Sequence, residues 1–292
     1  AGSNFSLIGN GESNTIDSEY STITYGKSNT IGSNSDSSSI GGNSNKTIDS
    51  VSSFIGNGYS NTISNYSNIG FIGNGAANKI INCSNYTSIT GGSSNIISDC
   101  SNYSSIVGGL QSTISFSYNS SIIGGLTNDI TNSCYSFIGS GSVNTINGES
   151  SCSVITGGSF NTISDCSYNS SISGGYCNVL SSCSDSSSIS SGDENTLTDI
   201  SSYSTISSGY RNTLSDTSCY SSISSGKCNT LTSSSYSNIS GGKCNTLTSS
   251  TLSNIDGGEL NTLTNSSNNS SISGGKCNEL TSSNISHISG GQ

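Results

Sequence analysis

The stretch SSISSGKCNTLTSSSYSNISGGKCNTLTSS, residues 221–250, states nearly the same sequence twice, 16 residues apart. The repetition runs the length of the chain. A frame Ile-x-x-Gly-x-x-Asn-Thr-Ile/Leu starts at Ile8, recurs through Ile106, Ile122, Ile172, Ile223 and Ile239, and starts for the last time at Ile288, with 15 to 17 residues between successive starts. Positions are counted here from that leading Ile. Gly stands at plus three except at Asn43, and Asn at plus six except at Lys46 and Ser112. An aliphatic residue stands at plus eight in every complete unit, as Ile up to Ile163 and as Leu from Leu180 onward, including Leu231 and Leu247. Self-similarity at such a period marks a repeat architecture.

The two aliphatics of each unit have small polar neighbours, as in Ser222-Ile223-Ser224 and Thr230-Leu231-Thr232. That alternation describes a short strand with one buried face, and no segment carries the 3.6-residue stripe of a helix. Two short strands joined by Gly-containing turns make one coil, which buries its aliphatics only against neighbouring coils. The expectation is an all-β fold: a single β-solenoid, or β-roll, of about 17 coils with two short strands per coil. It would extend over residues 1–292 as one array without a linker or second domain. Ile106, Ile122, Ile172, Ile223 and Ile239 would line one core ladder, and Leu231 and Leu247 the facing one. Gly at plus three suits a positive φ or a close backbone approach, and the Asn column could hydrogen-bond along the stack.

Composition removes several function classes. Only 8% of residues are charged and there is no Pro, whereas disordered chains combine low hydrophobicity with charge or Pro. The seven Lys and Arg form no patch along the sequence, so no nucleic acid partner is expected. No apolar run long enough to span a bilayer occurs, so no membrane insertion is expected. With His287 alone and carboxylates such as Asp99, Asp165, Asp199 and Asp216 dispersed, no acid/base pair can be nominated, and the chain does not read as an enzyme. No C-x-x-C pair exists, so neither a metal site nor a cofactor is expected. A chain opening Ala1-Gly2-Ser3 fits a processed secretory product and fits trimming of a longer chain equally well. Its ends, at Ser6-Leu7-Ile8 and at Ile288 to Gln292, fall inside repeats without a polar cap, as expected either of a segment of a longer array or of rods that stack end on end.

Two side-chain types keep the phase. Tyr recurs three places before the leading Ile, as at Tyr86, Tyr103, Tyr203, Tyr220 and Tyr236. These rings would stack at the strand spacing and either cover a corner or contact a partner chain. Cys83 with Cys100, Cys166 with Cys183, and Cys228 with Cys244 stand one coil apart in a shared column. Adjacent coils bring Cα atoms within disulfide range, so these are candidate inter-coil bridges, and with 11 Cys at least one thiol is left over.

The segment NSSISGG at 169–175 and again at 269–275 resembles the repeat of trimeric autotransporter adhesin heads and related fibre proteins. The resemblance implies a structural fibre at the surface of a cell or virion, or outside the cell, working as a rod or filament. Copies of the chain would be its partners, side by side as a trimer or end to end, with a surface or glycan as further ligand. A second resemblance, to ice-binding and ice-nucleating solenoids, rests on outward Thr-x-Thr rows: Thr230 and Thr232, Thr246 and Thr248, Thr262 and Thr264. It implies a flat Thr/Ser face that meets ice. Asp17, Asp49, Lys79, Ile81, Asp129, Asn147 and Val179 interrupt that row elsewhere.

Overall fold

In the computed structural model, which describes residues 5–291, the chain is all β and forms a solenoid. Ala1 to Asn4 and Gln292 lie outside the described residues. The chain divides after Val143 into two compact units, each built the same way. In both, strands carrying the leading Ile form one parallel sheet and strands carrying the plus-eight aliphatic form a second. Pairing is parallel and in register: Ile106 meets Ile122 in the first unit, Ile223 meets Ile239 and Leu231 meets Leu247 in the second. Most strands are two or three residues long, for example Ser222–Ile223 and Thr230–Thr232. Ile106, Ile122, Ile172, Ile223, Ile239, Leu231 and Leu247 are all fully buried.

Strands this short need corners that turn sharply, and the corners use positive φ at residues other than glycine. Every position three before a described leading Ile is left-handed, including Tyr103 (φ 58), Asn169 (φ 53) and Tyr220 (φ 57). So are the plus-five residues, such as Cys228 (φ 53), and the residues that follow the second strand, such as Asn82 (φ 59) and Cys83 (φ 61). An L-residue there costs conformational energy, so something must hold it. The holding contact is a reversed backbone bond. Strand N–H groups donate to the following coil, as Ser222 N to Ser237 O at 3.0 Å. Corner N–H groups donate to the preceding coil, as Tyr220 N to Ser202 O at 3.0 Å and Cys83 N to Asn65 O at 2.8 Å.

Gly at plus three has no substitute. Gly242 has φ 89, and a Cβ on it would lie 2.2 Å from the Gly258 carbonyl oxygen and 2.5 Å from Asn245 Nδ2. Beside it runs the Asn column, whose side chains bond to backbone more than to each other. Asn245 Nδ2 donates to Gly241 O at 3.0 Å and to Gly258 O at 3.1 Å, while its backbone N–H donates to Asn229 Oδ1 at 3.0 Å. The amide thus stitches each coil to both neighbours.

The coil that starts at Ile40 corrects the sequence frame. It lacks one residue before its glycine, so every later position arrives one residue early. Gly42 (φ 82), not Asn43, fills the glycine column, and Asn45, not Lys46, fills the Asn column through its bond to Gly58 O at 3.1 Å. Thr47 then pairs with Ile31 and Ile63 and takes the core position. Ile48, expected inside at plus eight, lies half-buried over Gly32, its Cγ1 only 3.1 Å from where a Cβ there would stand. Ser112 is a genuine departure: it holds the Asn position with no amide to offer.

Candidate functional site

The largest surprise relative to the sequence is the serine. Ser stands five places before every leading Ile, and at minus two Ser is replaced only by Gly70 and Thr87. From Ser18 to Ser270 these residues are core. Ser218, Ser221, Ser234 and Ser237 are all 3% exposed or less. Ser237 N donates to Ser221 Oγ at 3.1 Å, and Ser221 Oγ donates to Ser234 O at 2.9 Å. The left-handed residue between the two serines turns backbone N–H groups away from any strand partner, so the hydroxyls supply the acceptors that buried donors require. The invariance of Ser at minus five was the available signal; reading Ser as polar filler passes over it.

With the interior filled by aliphatics, Asn and Ser, function must lie on the outside. Four surfaces stand out. The first is the Tyr column. Tyr203, Tyr220 and Tyr236 form a continuous stack with centroids 4.9 and 5.0 Å apart and planes within 4° and 3° of parallel, and each is more than half exposed. Tyr86 and Tyr103 stack likewise at 5.1 Å.

The second is the outward face of the second sheet. From Thr196 to Thr264 both outward columns are Thr or Ser over five consecutive coils, Thr196/Thr198, Thr213/Ser215, Thr230/Thr232, Thr246/Thr248 and Thr262/Thr264, with Ser215 buried among them. Thr230 pairs with Thr246 and Thr232 with Thr248, in register. The face is broken at Val179 and Glu279, and in the first unit by Lys46, Lys79 and Asp129.

The third is a charged line at the glycine corner. Lys27, Lys227, Lys243 and Lys276 share the plus-four column although they are dispersed in sequence. Carboxylates interleave with them: Lys27 pairs with Glu12 at 2.9 Å, Lys243 and Lys276 both pair with Glu259 at 2.9 and 3.4 Å, and Arg211 pairs with Glu194. Dispersed in sequence, Lys227, Lys243 and Lys276 come into one row in the second unit, where Lys243 and Lys276 share Glu259 and Lys227 lies over the Tyr210 ring, so the row keeps an excess of positive charge. Hydrogen bonds from Lys243 and then Lys276, with their charges, hold the Glu259 carboxyl below its ordinary range.

The fourth is the cysteines. Cys83, Cys100, Cys166, Cys183, Cys228 and Cys244 are thiols, and each candidate pair occupies left-handed positions on adjacent coils. Desolvation, then Cys83 and the Asp99 charge, pushes the Cys100 thiol up; desolvation, then Cys183, Glu149 and Asp165, does the same to Cys166. Among the described residues no three His, Cys, Asp or Glu side chains converge as metal ligands. His287 engages Ser271 Oγ through Nδ1 at 2.7 Å. No protein-family model matches the chain, and no curated protein matches it either.

Proposed function

We propose that this chain is a structural repeat protein of an extracellular or surface fibre, whose copies associate side by side. The observation that carries the reading is the Tyr203–Tyr220–Tyr236 stack, held on a corner with each ring more than half exposed. Packing within the stack already fixes the rings, so little side-chain entropy remains to be lost on association. Burying a further 100 Å² or so of each ring would contribute about 2 kcal/mol per ring. The net charge of −10 sets copies against one another at low salt, so association should strengthen as salt screens it. Equilibrium sedimentation tests the reading: the intact chain should form oligomers, and Tyr203→Ser, Tyr220→Ser and Tyr236→Ser together should shift it to monomer. An intact chain that stays monomeric at high concentration overturns it.

A second reading, ice binding, is favoured by the five consecutive coils of outward Thr and Ser in the second unit. Thermal hysteresis that Thr230→Lys with Thr246→Lys abolishes would establish it in place of the fibre.

A further inference from the structure

The three same-column cysteine pairs each join adjacent coils, 16 residues apart at Cys228–Cys244 and 17 at Cys83–Cys100 and Cys166–Cys183, but their surroundings differ. Cys228 and Cys244 both have φ 53, and their N–H groups donate back to Tyr210 O at 2.9 Å and Lys227 O at 2.8 Å. Their neighbours Lys227 and Lys243 bridge in parallel register, which places the two Cα atoms about 4.8 Å apart, within the span a disulfide accepts. Both thiols are half-buried, so reagents reach them. Cations stand at the same corner: Arg211 occupies the coil before in the column of Cys228, Lys227 precedes Cys228 and Lys243 precedes Cys244. Glu194 and Glu259 neutralise Arg211 and Lys243 in part, while Lys227 lies over the Tyr210 ring at 5.3 Å. The other two pairs have carboxylates instead: Asp99 beside Cys100, and Glu149 and Asp165 beside Cys166.

We propose that Cys228 and Cys244 form a reactive dithiol site that takes small anionic disulfides and closes into an inter-coil disulfide ahead of the other two pairs. In the first step the Cys228 thiolate attacks one sulfur of the disulfide; a mixed disulfide forms and the S–S bond of the reagent breaks, releasing one thiolate. In the second, the Cys244 thiolate attacks Cys228 Sγ, forming the inter-coil bond and releasing the second thiolate. The two protons given up by the cysteines end on the two released thiols, the reagent is reduced and the dithiol oxidised. The cationic rim draws in the anionic reagent, and the shared column holds the resolving thiol in place.

The test uses the whole reduced chain with two reagents of opposite charge, oxidised glutathione and cystamine. Samples are alkylated at intervals and mapped by peptide mass. With oxidised glutathione at low salt, the Cys228–Cys244 pair should close roughly tenfold ahead of Cys83–Cys100 and Cys166–Cys183, the lower end of electrostatic steering. High salt should shrink that lead. With cystamine the order should reverse. Lys227→Gln with Lys243→Gln should slow closure by glutathione and leave closure by cystamine no slower. Equal rates for the three pairs, the same order with both reagents, or glutathione held on Cys228 without transfer to Cys244 would each overturn the proposal; the two-reagent comparison on the unaltered chain needs no variant to fold.

Discussion

Thr47 pairs in register with Ile63, which puts a hydroxyl into a column of buried aliphatics. Its Oγ1 is buried without a hydrogen-bond partner. Thr47→Val keeps the shape and removes the orphaned group, so it should stabilise the fold by about 1–3 kcal/mol. Thermal denaturation of the two chains compares them directly, and a lower melting temperature for the variant would show that the hydroxyl has a partner.

Ser112 offers a gain of the opposite kind. Asn95, one coil earlier, donates through Nδ2 to Gly91 O at 3.2 Å and Gly109 O at 3.0 Å. Ser112 occupies the next place in that column, where its hydroxyl accepts from Asn128 N at 3.4 Å. Ser112→Asn should restore bonds to the equivalent carbonyls of Gly108 and Gly125 and add about 1 kcal/mol. Urea unfolding would show a higher midpoint at unchanged slope; an unchanged midpoint means those carbonyls are already satisfied.

Gly242→Ala should be severe for so small a change. The added methyl meets the Gly258 carbonyl, and the backbone cannot relax without displacing Asn245. A loss of about 2–3 kcal/mol is expected, from strain together with the disturbed amide bonds. Gly257→Ala is the control, because its Cβ would meet nothing within 4 Å. Should both variants melt together, the close approach is not what fixes this column.

Two carboxylates give opposite pH dependence. Burial raises Asp129 above its ordinary value of 3.8, against a hydrogen bond from Thr131 that lowers it. The fold therefore holds this proton more tightly than the unfolded chain, and stability is lost as pH rises from the ordinary value through the raised one. Asp129→Thr should raise the melting temperature at pH 7 and leave it nearly unchanged at pH 3. Glu259, lowered by Lys243 and Lys276, contributes above the unfolded value and loses that contribution as pH falls through the lowered one. Its side chain is 34% accessible and open to solvent screening, so the effect of Glu259→Gln should be small and vanish in salt. Melting curves of both variants across pH 3–7 check the two signs.

Much of the architecture was readable without coordinates because it is written locally. An aliphatic between two small polar residues specifies a strand and its buried side, and the spacing between such triplets specifies the coil. Ile106, Ile223 and Leu231 are placed by that alternation alone, and the Tyr and Cys columns follow once the phase is known. The slip at Ile40 was not readable, since counting from a leading Ile cannot reveal which corner of a coil has lost a residue. Only pairing with Ile31 and Ile63 puts Thr47 inside and Ile48 outside.

What the sequence determined by itself, then, is the period, the strand class and the two aliphatic ladders, all carried by contacts within one coil's own pattern. The tertiary structure decided the rest, because the deciding partners belong to other coils. Ser221 is a core residue only when Ser237 N–H arrives to be accepted. Tyr220 can hold a left-handed φ only while Ser202 O receives its N–H. Lys227 and Lys243, 16 residues apart in the chain, become neighbours around a pair of thiols only when the coils stack. Hydrogen bonds and charges act through space, over a few ångströms, and only stacking brings those distances into being.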